Sequence, residues 1–292
     1  MERILDFAGA VINTSVPVLF ATLGILVMHL SGVLNIGAEG MMLIGAFAGM
    51  AGTYLLGNVW LGAVFALAIS GLTGALFAFF TVTMKSNQTV VGVAFNILAT
   101  GLTTTLFRIL FGMEAGSHLT GFRPVAGGVS LPVYLGICMV FIVTFVMYRT
   151  KPGLKMRAAG EHPKAVDSVG LSVTKIRYVC SIAGAMMIGF GGMYLSMGIL
   201  SFFSEEMVTG RGYIALAAVI FGRYTAVGSL LAVLIFGTGE AVVYRLQAAS
   251  SPIPTQLILM IPYIMTIIIV AGFGKKSNEP AALGQPYMKG KE

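Results

Sequence analysis

Long apolar stretches alternate with short polar ones along almost the whole chain. Each apolar stretch is close to the ~20 residues that an α-helix needs to cross a bilayer, and the alternating pattern of a membrane β-barrel strand is absent. The pattern therefore predicts an all-α, polytopic helical membrane protein with about nine transmembrane segments. The segments are residues 8–30, 37–56, 59–83, 90–111, 130–148, 178–199, 207–222, 225–246 and 256–273.

Two of these segments differ from an ordinary spanning helix. Residues 207–222 are short, and residues 37–56 are rich in glycine. Both are compatible with a broken or re-entrant helix, which a membrane protein tolerates only where other protein surrounds the backbone. Small residues, among them Gly45 and Gly49 in one segment and Ala185 and Gly189 in another, predict close approach of neighbouring helices.

Composition agrees with a protein that lies in a lipid bilayer. Hydrophobic residues make up 57% of the 292 positions and charged residues 10%, with a mean hydropathy of +0.91. Soluble domains carry about 25% charged residues. Cys138 and Cys180 fall inside apolar segments, where a thiol behaves as a small hydrophobe, and no spacing of histidine, cysteine and acidic residues predicts a metal site.

The basic residues indicate how the chain is oriented. The net charge is +7, and Lys and Arg concentrate in residues 149–177 and in the tail. Because basic loops stay on the cytoplasmic side, both regions are expected there, with the amino terminus outside and the protein in the inner or plasma membrane. The excess charge then reflects topology rather than nucleic-acid binding. Residues 1–273 form the predicted transmembrane domain, and residues 274–292 a disordered cytoplasmic tail.

Catalytic motifs are absent from the sequence. There is no nucleophile elbow and no metalloprotease helix. The stretch "GFGKKS" at 272–277 does not complete a phosphate-binding loop, because Ile269 stands where glycine is required and Lys276 where Ser or Thr is required. The chain is therefore expected to be no enzyme, with no catalytic residue, cofactor or ATP site of its own.

Polar residues inside the apolar segments are the candidate functional residues. They are Asn35, Glu39, Asn96 and Glu240, with Thr100 as a further companion. A carboxylate inside a bilayer needs a partner or a water-filled path, so these residues either join helices or line a transport pathway. As i and i+4, Asn35 and Glu39 would share one helix face. Glu39 is expected to be held by Asn35 or by backbone amides, and Glu240 to pair with Arg245.

The long basic linker at 149–177 contains a second candidate site. The stretch "KAVDSVGL" predicts a short amphipathic helix with Ala165, Val166 and Val169 on one side, closed by Gly170 as a C-terminal cap. Two interpretations stay open at this point. The helix is either a linker on the membrane surface or a docking element for a cytoplasmic partner.

Several stretches together resemble the permease subunits of bacterial ABC importers that carry ribose, branched-chain amino acids or nucleosides. They are "SGVLNIGAEGMMLIGAF", "NQTVVGVAFNILATGL", "RAAGEHPKAVDSVGLSVTKIR", "GRGYIALAAVIFGRYTAVGSLLAVLIFGTGEAVVYRLQ" and "PTQLILMIPYIMTIIIV". The likeness is greatest to nucleoside permeases that work with lipoprotein receptors of the basic-membrane-protein type. It implies a cobalamin-importer-like (type II) fold and a translocation pathway for a small-molecule substrate.

The same resemblance implies partners and site residues. The partners are a separate ATPase subunit that binds ATP, a second permease subunit forming a heterodimer, and an extracytoplasmic substrate-binding lipoprotein. The positions that match the family's ATPase-coupling motif are Arg157, Ala159, Gly160, Glu161, Pro163, Ala165, Gly170 and Val173. Alternatives are a permease for a simple sugar or a branched-chain amino acid, an ion-coupled secondary transporter, and an intramembrane enzyme.

Overall fold

The structure is a computed structural model that describes residues 2–112, 121–122, 124–126, 129–248, 254–261, 264–265, 267 and 278–288. Its helices are α1 (Glu2–Leu30), α2 (Ala38–Leu56), α3 (Val59–Ala78), α4 (Gln88–Phe111), α5 (Leu131–Arg149), α6 (Lys151–Glu161), α7 (Pro163–Ser168), α8 (Val173–Tyr194), α9 (Arg211–Phe221), α10 (Ala226–Ala248) and α11 (Thr255–Leu259). Two short antiparallel strands, β1 (Pro124–Ala126) and β2 (Val129–Ser130), precede α5. Helices α3 and α8 continue as π-helical turns over Phe79–Thr83 and Leu195–Leu200.

Seven helices in the described part of the chain are long and apolar enough to cross a membrane: α1, α2, α3, α4, α5, α8 and α10. They correspond to seven of the nine predicted segments, and the all-helical class is confirmed. The predicted segment 207–222 contains α9, whose 11 residues span about 16 Å, roughly half of the ~30 Å hydrocarbon core. Half of the predicted segment 256–273 lies outside the described residues, and α11 lies at its start.

Helices α1, α2 and α8 form the centre of the bundle, and α3, α4 and α5 lie around them with most of their apolar surface exposed. The central helices pack closely because glycines face one another. A Cβ on Gly45 would overlap the backbone of Gly189, and a Cβ on Gly24 would overlap Gly184. The predicted close approach at Gly45 and Gly189 is therefore confirmed, and it places the polar residues of α2 inside the bundle.

Two non-helical stretches interrupt this bundle. Residues 31–37 connect α1 to α2, and residues 201–210 connect α8 to α9. In the first stretch, Gly32 has a left-handed φ of 89°, which allows the chain to turn out of α1. Backbone groups that are removed from water and from a helix need other partners. The side chains that supply them form the candidate site.

The carboxyl-terminal residues 278–288, which we call the strap, pack on the end of the bundle where α1 ends and α8 begins. The amide of Ala282 donates to the carbonyl of Gly160 at 2.8 Å, and the amide of Gly284 donates to that of Gly32 at 3.3 Å. Arg177 Nη1 donates to the carbonyl of Gln285 at 2.9 Å. The prediction of disorder over 274–292 is therefore wrong for 278–288, because backbone hydrogen bonds hold a segment whose composition predicts none.

Candidate functional site

Glu39 joins the first turn of α2 to the first turn of α9. Its Oε1 accepts a hydrogen bond from the amide of Gly210 and its Oε2 from the amide of Gly212, both at 2.7 Å. The first amides of a helix have no partner within the helix, and they carry the positive end of its dipole. A carboxylate at this point satisfies two of them. The expected bonding of Glu39 to backbone amides is therefore present.

Asn35 lies outside helix α2, in the connection that precedes it. It is fully buried, its amide donates to His29 Nε2 at 3.2 Å, and its Nδ2 lies 3.3 Å from the sulfur atoms of Met28 and Met41. The expectation that Asn35 and Glu39 share one helix face is wrong, because α2 begins only at Ala38. Asn35 belongs to the packing between α1 and α2.

Two side chains of α4 hydrogen-bond to backbone groups of the connection between α1 and α2 and of the first turn of α2. Asn96 Oδ1 accepts from the amide of Gly40 at 2.8 Å, and its Nδ2 donates to the carbonyl of Ile36 at 3.1 Å and to the hydroxyl of Tyr213 at 2.9 Å. About two turns earlier on α4, Gln88 Oε1 accepts from the amide of Leu34 at 2.6 Å. Asn96 thus links α2, α4 and α9 through one amide group.

Glu240 belongs to a neighbouring cluster at the start of α9. It forms a salt bridge with Arg211 at 3.2 Å, and both side chains are largely buried. Arg211 also donates to the hydroxyl of Tyr244 at 2.9 Å. The expected partner, Arg245, lies instead over the ring of Phe7. The prediction named the wrong arginine because residues five apart on a helix point in different directions.

A cavity of about 840 Å³ lies beside these contacts, between α2, α4 and the start of α9. Its lining consists of Glu39, Gly40, Leu43, Asn96, Ile97, Thr100, Gly101, Glu205, Glu206, Val208, Thr209, Gly210 and Tyr213. The structure therefore brings Glu39, Asn96 and Thr100 together around one space. Asn35 and Glu240 do not line it.

Sequence reasoning missed Tyr213, Glu205 and Glu206 as part of this lining. The two glutamates were visible as the only adjacent acidic pair in the chain, within "FFSEEMV". Glu206 and Thr209 have left-handed φ values of 57° and 48°. A left-handed backbone conformation costs on the order of 1–3 kcal/mol for a residue other than glycine, and residues in it are concentrated at functional sites.

An exposed ion pair joins the lining to the far end of α4. Arg108 Nε and Nη2 donate to the two carboxylate oxygens of Glu205 at 2.8 and 3.0 Å. The two-pronged contact fixes the residues 201–210 to α4 at the edge of the cavity.

The coupling-motif residues form a separate surface on helices α6 and α7. Ala159, Val166 and Val173 form a small buried cluster that joins α6, α7 and the start of α8. Gly160 must be glycine because a Cβ there would overlap the carbonyl of Leu30. Glu161 ends α6 and accepts from the amide of Ala281 in the strap at 3.2 Å.

The remaining coupling residues lie on the outer side of this surface. Arg157 places its guanidinium 5.0 Å from the ring centre of Tyr148, and Pro163 is the first residue of α7. Gly170 has a left-handed φ of 81°, as expected of a cap. The predicted apolar face of Ala165, Val166 and Val169 is wrong: α7 ends at Ser168, so Ala165 and Val169 are exposed and only Val166 is buried.

Seven apolar helices that enclose helix ends held by buried polar side chains define a membrane transport subunit. A family model described as "Branched-chain amino acid transport system / permease component" matches residues 7–270. The chain belongs to this family of ABC transporter permeases and is a multi-pass protein of the plasma membrane. Permease components are not themselves enzymes, so family membership also confirms that expectation.

Three relatives cover most of the chain. The guanosine ABC transporter permease protein NupQ of Bacillus subtilis is 34% identical over 94% of each chain. The nucleoside ABC transporter permease protein NupC of Lactococcus lactis is 32% identical over 95% of each chain. A candidate glucose ABC transporter permease of Haloferax volcanii, TsgC13, is 35% identical over 84% of this chain and 80% of its own.

Among solved structures, PsaBC from Streptococcus pneumoniae in complex with a Fab has a similar fold. The TM-score is 0.53 at 12% sequence identity, over 90% of this chain and 91% of the other. This likeness concerns the fold alone. The coupling surface and the cavity are features of this chain's own residues.

Proposed function

We propose that this chain is the permease subunit of an ABC importer for nucleosides and forms their translocation pathway. The observation that carries the proposal is its similarity to NupQ and NupC. Both are named for guanosine or nucleosides, and both match at 34% and 32% identity over 94–95% of each chain.

A sugar is the second candidate substrate. TsgC13, a candidate glucose permease, is 35% identical but matches a smaller share of each chain. The family description itself names branched-chain amino acids. An ion-coupled secondary transporter and an intramembrane enzyme are set aside, because the family consists of ABC transporter permease components.

The proposal includes the assembly in which the chain works. An ATPase subunit, which binds the ATP, docks on α6 and α7, where the exposed Ala165 and Val169 offer apolar contact. A second permease, a different chain, completes the pathway, and an extracytoplasmic lipoprotein delivers the substrate. Multiple exposed apolar side chains on α3, α4 and α5 leave room for both lipid and the second permease.

The proposal also includes nine segments, an amino terminus outside and a type II fold. In this arrangement residues 201–210 and the 11-residue α9 together make one crossing, half irregular chain with turns and half helix. The final crossing begins at α11. Surrounding side chains satisfy backbone groups of the non-helical half, as the contacts of Glu39 with Gly210 and Gly212 illustrate.

Uptake by intact cells tests the function. Cells that lack the gene, and the same cells with it restored, are given labelled guanosine, glucose and leucine. Restored uptake of guanosine alone, competed by other nucleosides, is the expected result. Restored uptake of glucose or leucine in place of guanosine would contradict the proposal. Co-purification of an ATPase with the permease tests the assembly separately.

A further inference from the structure

The charges around the cavity are mostly of one sign. Its lining includes the carboxylates Glu39, Glu205 and Glu206, and none of the described lining residues is basic. Arg108 balances Glu205. The amides of Gly210 and Gly212, which could have formed an anion site at the start of α9, already bind Glu39. The cavity therefore repels anions rather than attracting them.

The polar groups of the lining suit a neutral ligand. Tyr213 is the only aromatic residue among the described lining residues, and about half of its surface, 48%, is exposed. Its hydroxyl oxygen accepts from Asn96, which leaves the hydroxyl proton to be donated elsewhere. The Glu206 carboxylate, at the edge of the same space, has no hydrogen-bond or salt-bridge partner within the described ranges.

These groups match the parts of a nucleoside. Aromatic side chains stack on bases without regard to sequence, and carboxylates accept hydrogen bonds from the hydroxyl groups of a ribose. The cavity of about 840 Å³ lies within the range of small-molecule sites. A phosphate group, in contrast, would meet carboxylates and no basic side chain among the described lining residues, and Arg108 at the edge is already paired with Glu205.

We propose that this cavity is a contact site for the substrate within the pathway, and that it accepts the neutral nucleoside and excludes its phosphorylated form. Tyr213 contacts the base and Glu206 the ribose. This inference rests on the proposed nucleoside function, which it deepens. The permease itself then selects uncharged nucleosides over phosphorylated ones, independently of any selection by the substrate-binding lipoprotein.

Protection of a single cysteine from alkylation tests the site. Thr100→Cys is placed in a Cys138→Ala background, which removes the exposed native thiol, and membrane vesicles holding the complete transporter are treated with N-ethylmaleimide. Guanosine is expected to slow labelling severalfold, and guanosine monophosphate is expected to leave it unchanged. Ile97→Cys repeats the measurement at a second lining position, and Ser168→Cys on α7 is the control that no ligand protects.

Substitutions separate the two contacts. Tyr213→Leu and Glu206→Gln should each weaken the protection by guanosine, whereas Tyr213→Phe should retain most of it. Glu206→Lys should allow guanosine monophosphate to protect. Equal protection of Thr100→Cys by both ligands when Tyr213 and Glu206 are unchanged, or no protection by guanosine at Thr100→Cys and Ile97→Cys, would overturn the site.

Uptake by the same vesicles distinguishes the two proposals. If they accumulate guanosine but the cysteines are not protected, the cavity is not the contact site and the nucleoside function stands. If they assemble with an ATPase and accumulate glucose but no guanosine, the proposed function fails, and this nucleoside site fails with it.

Discussion

Gly212 lies so close to Glu39 that position 212 accommodates no side chain. A Cβ there would overlap the backbone of Glu39 and would lie 2.8 Å from its Oε2. The same approach brings the amide of Gly212 within 2.7 Å of that oxygen. The absence of a side chain at residue 212 and the hydrogen bond of Glu39 are thus two results of one contact between α2 and α9.

Gly212→Ala should therefore reduce the amount of folded permease. The added methyl group forces the first turns of α2 and α9 apart, at a cost of about 1–3 kcal/mol for an overpacked site. Size-exclusion profiles and thermal unfolding of the purified complex measure the effect. Gly101→Ala, on α4 with nothing within 4 Å of the added Cβ, is the matched control. A Gly212→Ala protein as stable as this control would contradict the contact.

Glu39→Gln and Glu39→Leu should differ in severity. Gln keeps one acceptor oxygen for the two amides that the carboxylate binds, so one hydrogen bond is kept and the other is lost, because the NH2 group of Gln faces an amide N–H. Leu leaves both amides unpaired, at about 1–3 kcal/mol for each. The folded fraction and guanosine uptake are measured for each variant. A Glu39→Gln protein that assembles normally and transports nothing would show instead that the charge itself is required for transport.

Asn96→Asp should be more damaging than Tyr213→Phe. The aspartate loses both donated hydrogen bonds and places a carboxylate against the carbonyl of Ile36, whereas the phenylalanine loses one bond, with a typical net contribution of about 0.5–1.5 kcal/mol. Unfolding temperatures of the two variants and of their double mutant give the coupling between residues 96 and 213. Additive effects would argue against a direct bond.

Removal of the strap should weaken docking of the ATPase. A chain that ends at residue 277 loses the partners of Gly160, Glu161 and Arg177, whereas a chain that ends at residue 288 keeps them. The shorter chain is expected to co-purify severalfold less ATPase than the longer one.

Arg177→Lys tests the same contact without truncation. Lysine keeps the charge but lacks the planar fork that reaches the carbonyls of Ser31 and Gln285. It should lower ATPase co-purification in the same direction as the truncation, with membrane insertion unchanged. Normal co-purification with both variants would show that the strap is not needed for docking.

Hydropathy was sufficient to predict the spanning helices, because a helix must carry about 20 apolar residues to cross the bilayer. The polar contacts could not be derived in this way. Glu39 binds amides 171 and 173 residues further along the chain, and no local period encodes such a distance. The shared helix face of Asn35 and Glu39 was wrongly predicted for a related reason: the two residues are spaced as on a helix, but α2 begins between them, at Ala38.

Composition misled in the tail and in the linker. Residues 278–288 are rich in small and polar residues, yet their backbone amides find partners in the carbonyls of Gly32 and Gly160. On α7 the apolar residues were assigned to one face of a helix that ends before Val169. In both cases the outcome depends on neighbours that are distant in sequence.

The position of the strap also determines where a tag can be attached without disturbing the protein. Tyr287, one residue before the end of the described strap, hydrogen-bonds to Asp167 of α7. An affinity tag or fluorescent protein fused after residue 292 would therefore begin only a few residues from the surface of α6 and α7 that we propose as the ATPase-docking surface. If the ATPase did not co-purify with such a fusion, the cause would be steric hindrance by the tag. A tag at the amino terminus, expected on the opposite side of the membrane, avoids this.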